Sequence, residues 1–141
     1  MEHLKKKNYI NNIISIPFIV LLIIPFVFLD LCVEIYHRIC FPLYGIKIVN
    51  RSKYIILDRY KLDYLTGVQK SNCAYCEYIN GLLKYVTEIG ARTEKYWCAI
   101  KHSKKDGVYP DHHKDFLEYG DVTTFSKEYK QELTNLENKH E

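Results

Sequence analysis

At 141 residues, with a formal net charge of +3 and 26% charged side chains, the chain is one domain, or one small domain plus a membrane segment, and its charge is too mild to argue for nucleic acid. Five cysteines, an odd number, argue against a fully paired disulfide scaffold and for reduced thiols on a cytosolic face. The 13 tyrosines suit half-buried surfaces and membrane interfaces, although the same excess also fits an AT-rich coding sequence.

Residues 1–12 form a polar flank with Lys5, Lys6 and Lys7 in a row. From Ile13 to Leu29 every residue is apolar except Ser15, with Pro17 and Pro25 inside the run. That length just crosses a hydrocarbon core of roughly 30 Å, which takes about 20 residues. A cleaved signal peptide fits poorly, because no small-x-small site follows the run. A single transmembrane helix and a bent helical hairpin over 13–49 are both open. Pro25 breaks a helical ladder near its middle, and Cys40 to Gly45 is a second apolar stretch beyond a charged turn. Basic residues on both sides, with Arg38, Lys47, Arg51 and Lys53 after the run, tilt the reading toward the hairpin with both ends in the cytoplasm. Membrane lipid, and a protein partner in the membrane, are the implied partners.

Asp30, Glu34 and His37 share a helix face at i, i+4 and i+7. Glu34-x-x-His37 has the spacing of carboxylate-bridged di-iron proteins, but the second such motif is missing. The plainer reading is the polar end of a membrane segment, with Arg38 pairing Glu34. Cys40 at the interface is a candidate for acylation, or simply a buried apolar residue.

Residues 50–120 read as a small helical domain. Ser52 to Asp58 is a β-branched run, strand or extended. Arg59 to Leu65 fits a helical turn or two ending at Thr66-Gly67. Asn72 sits where an N-cap belongs. Cys76, Ile79, Leu83, Val86, Gly90, Thr93, Trp97 and Ile100 then recur as one buried helical stripe. Asp58-Arg59 and Ala91 to Glu94 look like helix-end ion pairs, with Arg92 alternatively facing an anionic headgroup. His112 and His113, flanked by Asp111 and Asp115, read as a solvated loop with weak capacity for metal. Residues 121–141 are a polar tail in which Tyr129, Leu133 and Leu136 mark an amphipathic helix.

The distinctive chemistry is Cys73-x2-Cys76 followed by Cys98-x3-His102. Two close pairs of soft ligands are a common plan for a tetrahedral zinc site, with iron as the alternative. In one unbroken helix Cys76 and Cys98 would stand about 33 Å apart at about 1.5 Å per residue, and no single ion could bind both. An antiparallel helix pair over 72–102, turning near Ile89 and Gly90, would set Cys76 level with His102. The expected architecture is therefore mainly α: a membrane helix or hairpin, then a helix pair clipped by Cys73, Cys76, Cys98 and His102. The rival reading is thiol redox chemistry, with Cys73 activated by a helix end and Cys76 resolving. A third is a lipid-facing protein whose cysteines only pack. The sequence leaves open whether the chain is an enzyme. Serine-nucleophile motifs, Gly-rich phosphate loops and His-Glu-x-x-His are absent from it.

Asn72 to Gly81, Ala91 to His102, Ile39 to Gly45 and Leu57-Asp-Arg59 together resemble a group of small bacterial proteins with a hydrophobic N-terminus. The resemblance covers roughly residues 13–102. It implies membrane association, at the bacterial inner membrane, and brings no catalytic role. The group's form has proline after the third cysteine, where this chain has Ala99.

Overall fold

The computed structural model describes residues 9–103 and 111–137. The chain is mainly helical, with no β-strand among the described residues. Among the described residues three α-helices run in order: α1 (Tyr9–Leu43), α2 (Gly67–Trp97) and α3 (Val122–Glu137). Three short 3-10 turns lie between them, at Arg51–Lys53, Arg59–Lys61 and Asp111–Asp115. The chain divides into two compact units, Met1–Ile89 and Gly90–Glu141.

In the first unit α1 is one helix, not the bent hairpin favoured by sequence. Pro17, Pro25 and Pro42 all lie inside it. Each proline removes one backbone donor, but the rest of the ladder survives. Cys40 to Leu43 is the last turn of α1 rather than a second helix. The turn closes with a Schellman arrangement: the Ile46 amide donates to the Phe41 carbonyl at 2.8 Å and the Gly45 amide to Pro42 at 3.1 Å. Gly45 sits at φ +67°, the left-handed conformation that glycine adopts without a Cβ penalty.

The two halves of α1 differ. Ile14 to Leu29 exposes Phe18, Leu21, Ile24 and Phe28. The C-terminal half packs against α2 through a core of Phe41, Val49, Leu82, Tyr85 and Ile89, joined by Phe26, Val33, Ile46 and Val86. Leu82, Tyr85 and Ile89 recur at 3 and 4, so the buried face of α2 is rotated from the expected stripe. Leu83 and Trp97 are exposed, and so is Cys76. The sequence reading left out Tyr78 and Tyr85, two tyrosines that help define the true face.

The Ser52 to Asp58 segment is not a strand. It begins as a 3-10 turn capped by Asn50, whose side-chain oxygen accepts from the Ser52 amide at 3.1 Å. It then passes directly over α2 at Gly81. A Cβ there would lie 2.7 Å from the Tyr54 carbonyl oxygen and 2.8 Å from Ile55 Cα. Gly81 is therefore a contact point between backbones, not a weak link in the helix.

Helix α2 begins at Gly67, not at Asn72. Thr66 and Gln69 form a capping box: the Thr66 amide donates to Gln69 Oε1 at 2.9 Å, and the Gln69 amide to Thr66 Oγ1 at 3.4 Å. The helix pair expected over 72–102 is absent. α2 runs unbroken from Gly67 to Trp97 through Gly90, and nothing lies within 4 Å of a Cβ built at Gly90.

In the second unit α2 ends at Trp97, and the chain becomes extended. Ile100 forms a parallel bridge with Leu117, the Lys101 and Leu117 amides donating to Leu117 and Ala99 carbonyls at 2.8 Å each. Phe116 is buried there and stacks on the His113 ring at 4.8 Å. Asp121 caps α3, accepting from the Thr124 amide at 3.0 Å and from the hydroxyls of Thr123 and Thr124. The expected C-terminal helix lies within α3, and the side chains of Tyr129, Leu133 and Leu136 fall outside the described residues.

Candidate functional site

The four residues singled out by sequence are placed as follows. Cys73 and Cys76 lie on one face of α2, half-buried and exposed respectively. Cys98 is exposed and lies one residue past the end of α2. His102 is exposed on the extended segment beyond it. Cys98 and His102 therefore do not share a helix face. Helix α2 is unbroken through Gly90. The turn on which the four-ligand geometry depended is not present. Cys73 is also well inside α2 rather than at its end, and the field of a helix terminus fades within its first turn. All five cysteines are free thiols.

Two other polar constellations stand out. The first lies in the unit Met1–Ile89, on the face of α1 that carries Asp30, Glu34 and His37. Arg51 from the connecting loop makes two hydrogen bonds to the carboxylate of Asp30, one of them at 2.6 Å to Oδ2. A guanidinium fork matches a carboxylate in this bidentate way, which gives direction as well as charge. Tyr78 donates to Asp30 Oδ2 at 2.8 Å, and Arg38 donates to Glu34 Oε1 at 2.7 Å. The Glu34–Arg38 pair is the one expected from sequence.

A directed chain of bonds follows. The Val49 amide donates to His37 Nε2 at 2.9 Å, so that nitrogen carries no proton. The neutral ring then holds its proton on Nδ1, which lies 2.9 Å from the Tyr85 oxygen. Tyr85 passes its own proton toward Glu34 Oε2 at 2.9 Å. His37 and Tyr85 are each 1% exposed. Burial first, and then the hydrogen bond to Glu34, push the Tyr85 hydroxyl well up from its ordinary value. Burial and then Asp30 raise Tyr78 to about 12. The hydrogen bonding to Asp30 raises Arg51 further. From Val49 through His37 and Tyr85 to Glu34 each donor is matched to an acceptor, which is the condition for a buried polar network to be stable. A cleft of about 640 Å³ opens beside it, lined by Arg38, Val49, Asn50, Arg51, Ser52 and Ile55 among others. Arg59, expected to pair with Asp58, instead meets Glu77 of α2 at 3.1 Å.

The second constellation lies in the unit Gly90–Glu141. Glu94, on the last turns of α2, meets His112 Nε2 at 2.9 Å through Oε2 and His113 Nε2 at 3.1 Å through Oε1. The 3-10 turn Asp111–Asp115 sets the two imidazoles nearly perpendicular, with ring centroids 4.7 Å apart. His113 is buried, and the His102 ring lies 5.6 Å from it. The hydrogen bond from His112, helped by that from His113, holds the Glu94 carboxyl below its ordinary value against the opposing cost of burial. The sequence suggested a solvated His-His loop and a helix-end role for Glu94. The adjacency of His112 and His113 was visible, but their meeting with Glu94 carries no local signal.

Comparison with known protein families, with curated proteins and with solved structures finds no match for this chain.

Proposed function

We propose that this is a single-span membrane protein whose α2 and connecting loop form a membrane-proximal head, serving as a binding or assembly module. The observation that carries the reading is α1. Its stretch Ile14–Leu43 is long and apolar enough to cross a membrane, and its most apolar 18 residues have mean hydropathy 2.8 with none of them buried. Exposing that much apolar surface to water is unfavourable, and lipid is the solvent that removes the cost. Leu31, Ile35, Ile39 and Leu43 extend the exposed apolar surface along the side away from Asp30, Glu34 and His37.

The head faces the cytoplasm in this reading, at the bacterial inner membrane. Lys47, Arg51, Lys53, Arg59 and Lys61 crowd the C-terminal flank of α1 and outweigh Lys5, Lys6 and Lys7. Free thiols on the exposed surface suit a reducing compartment. The network around Tyr85 would fix the head to the anchor, so that a partner meets a surface of set orientation.

The test is alkaline carbonate extraction of membranes, followed by labelling of Cys76 with a membrane-impermeant maleimide in intact and in opened cells. Retention in the pellet with labelling only after opening is expected. Release into the supernatant overturns the span, and labelling of intact cells overturns the orientation.

A further inference from the structure

From the second unit, and independently of the membrane reading, we infer that Glu94, His112 and His113 form a binding site for one divalent metal ion of the zinc class. One ligand atom from each of the three lies within 4.8 Å of the others, a grouping that no other three His, Cys, Asp or Glu residues are seen to match among the described residues. Ligand atoms held about 2.0–2.1 Å from a tetrahedral ion are about 3.3 Å from one another. The separations of 2.9 Å from Glu94 Oε2 to His112 Nε2 and 3.1 Å from Glu94 Oε1 to His113 Nε2 are close to that spacing, and the three ligand atoms would draw together from within 4.8 Å around an ion.

The donor set also selects the ion. Two imidazoles and one carboxylate suit zinc, or iron(II) and cobalt(II) in the same geometry, better than calcium or magnesium, which take oxygen ligands. Three protein ligands leave a position for water, the arrangement of open rather than closed zinc sites. The site is also braced. His113 is stacked on Phe116, and Glu94 is fixed on the last turns of α2, where the Cys98 amide donates to its carbonyl at 2.7 Å. Binding through Nε2 moves the ring proton to Nδ1 or releases it, so uptake is accompanied by no redox change.

The experiment is zinc titration of the full-length chain in detergent micelles, with cobalt(II) as a spectroscopic substitute. One zinc per chain is expected, with a cobalt spectrum that has no thiolate charge-transfer band. Glu94→Gln and His112→Ala are the informative variants, since Gln keeps the hydrogen-bonding shape and His112 is the less buried of the two histidines. Each is expected to weaken zinc binding by at least about tenfold, a loss that even an outer-sphere ligand partner produces. Helicity by circular dichroism confirms that both variants fold. The Cys73→Ser, Cys76→Ser double variant is expected to bind as the parent does. No zinc uptake by the folded parent, equal uptake by the Glu94 and His112 variants, or a thiolate band removed by a cysteine substitution would each overturn the assignment.

Discussion

Tyr85 is the residue on which the first unit turns. Its single hydroxyl accepts from His37 and donates to Glu34, while its ring lies in the apolar core beside Leu82 and Phe41. Tyr85→Phe keeps the ring and removes the link, leaving a buried imidazole N–H and a carboxylate oxygen short of a partner. The expected loss is about 1–3 kcal/mol, read from denaturant midpoints in detergent. An unchanged midpoint would mean that water replaces the hydroxyl. Asp121 gives a second prediction with a defined sign. Hydrogen bonds from Thr124 and Thr123 depress its pKa to about 2 from 3.8. A depressed carboxyl supports the fold above its unfolded value, and that support is lost as pH falls through the folded one. Helicity from α3 is therefore expected to hold above about pH 4 and to fade progressively as the pH falls from 3.8 toward about 2, whereas Asp121→Ala lowers it already at neutral pH. The residues of the first network were half legible. Asp30, Glu34 and His37 announce themselves by their helical spacing, and so does the Glu34–Arg38 pair. Tyr78 and Tyr85 do not, because a contact across 48 or 51 positions has no local signature and tyrosines are plentiful in this chain.

At the scale of elements, the two glycines of α2 make opposite predictions from the same substitution. A methyl group at Gly81 meets backbone atoms of Tyr54 and Ile55, which cannot yield as a flexible side chain would. Gly81→Ala is expected to destabilise by about 1–3 kcal/mol, the usual scale of overpacking, despite a gain in helix propensity. Gly90 meets nothing within 4 Å. Gly90→Ala is expected to stabilise by about 0.5–1 kcal/mol, because alanine stiffens a helix interior. Thermal melts of the two variants test this, and a destabilising Gly90→Ala would point to a turn there. The existence and helical class of α1 and α2 could be read from hydrophobic patterning. Their ends could not. The Thr66–Gln69 box was mistaken for a stop signal because Thr-Gly fits a helix end as well as a start, and only the chain's course past Gly67 separates the two. The four-ligand plan rested on a turn near Gly90 that α2 does not make. Ligand spacing says which residues could share an ion, but only the backbone between them says whether they meet. The Glu94–Ile100 neighbourhood shows the same limit: the pattern of apolar residues continues to Ile100, while the helix ends at Trp97.

For the whole molecule the decisive quantity is length. The candidate span Ile14–Leu43 has 30 residues, whereas a hydrocarbon core of roughly 30 Å needs about 20. In the proposed span about a third of that stretch would then lie outside the core, and the packing says which third. From Asp30 onward one face of α1 is committed to Arg51, Tyr78 and Tyr85, so in the proposed span that end would belong to the head and sit at the headgroup level or beyond. The exposed residues Leu31, Ile35 and Ile39 then face the interface, not the bilayer centre. A charged side chain costs about 2.5–3.5 kcal/mol at the centre of a span and much less near its ends. Arginine placed singly at Phe18, Leu21, Ile24, Phe28, Ile35 and Ile39 therefore maps the depth of each position. The fraction resisting carbonate extraction should fall most at Leu21 and Ile24 and little at Ile35 and Ile39, where the side chain reaches water by snorkelling. An equally deep loss at Ile35 would place the head inside the bilayer core, with the Asp30–Arg51 pair as its buried counter-charge. A flat profile would mean that α1 lies along the surface.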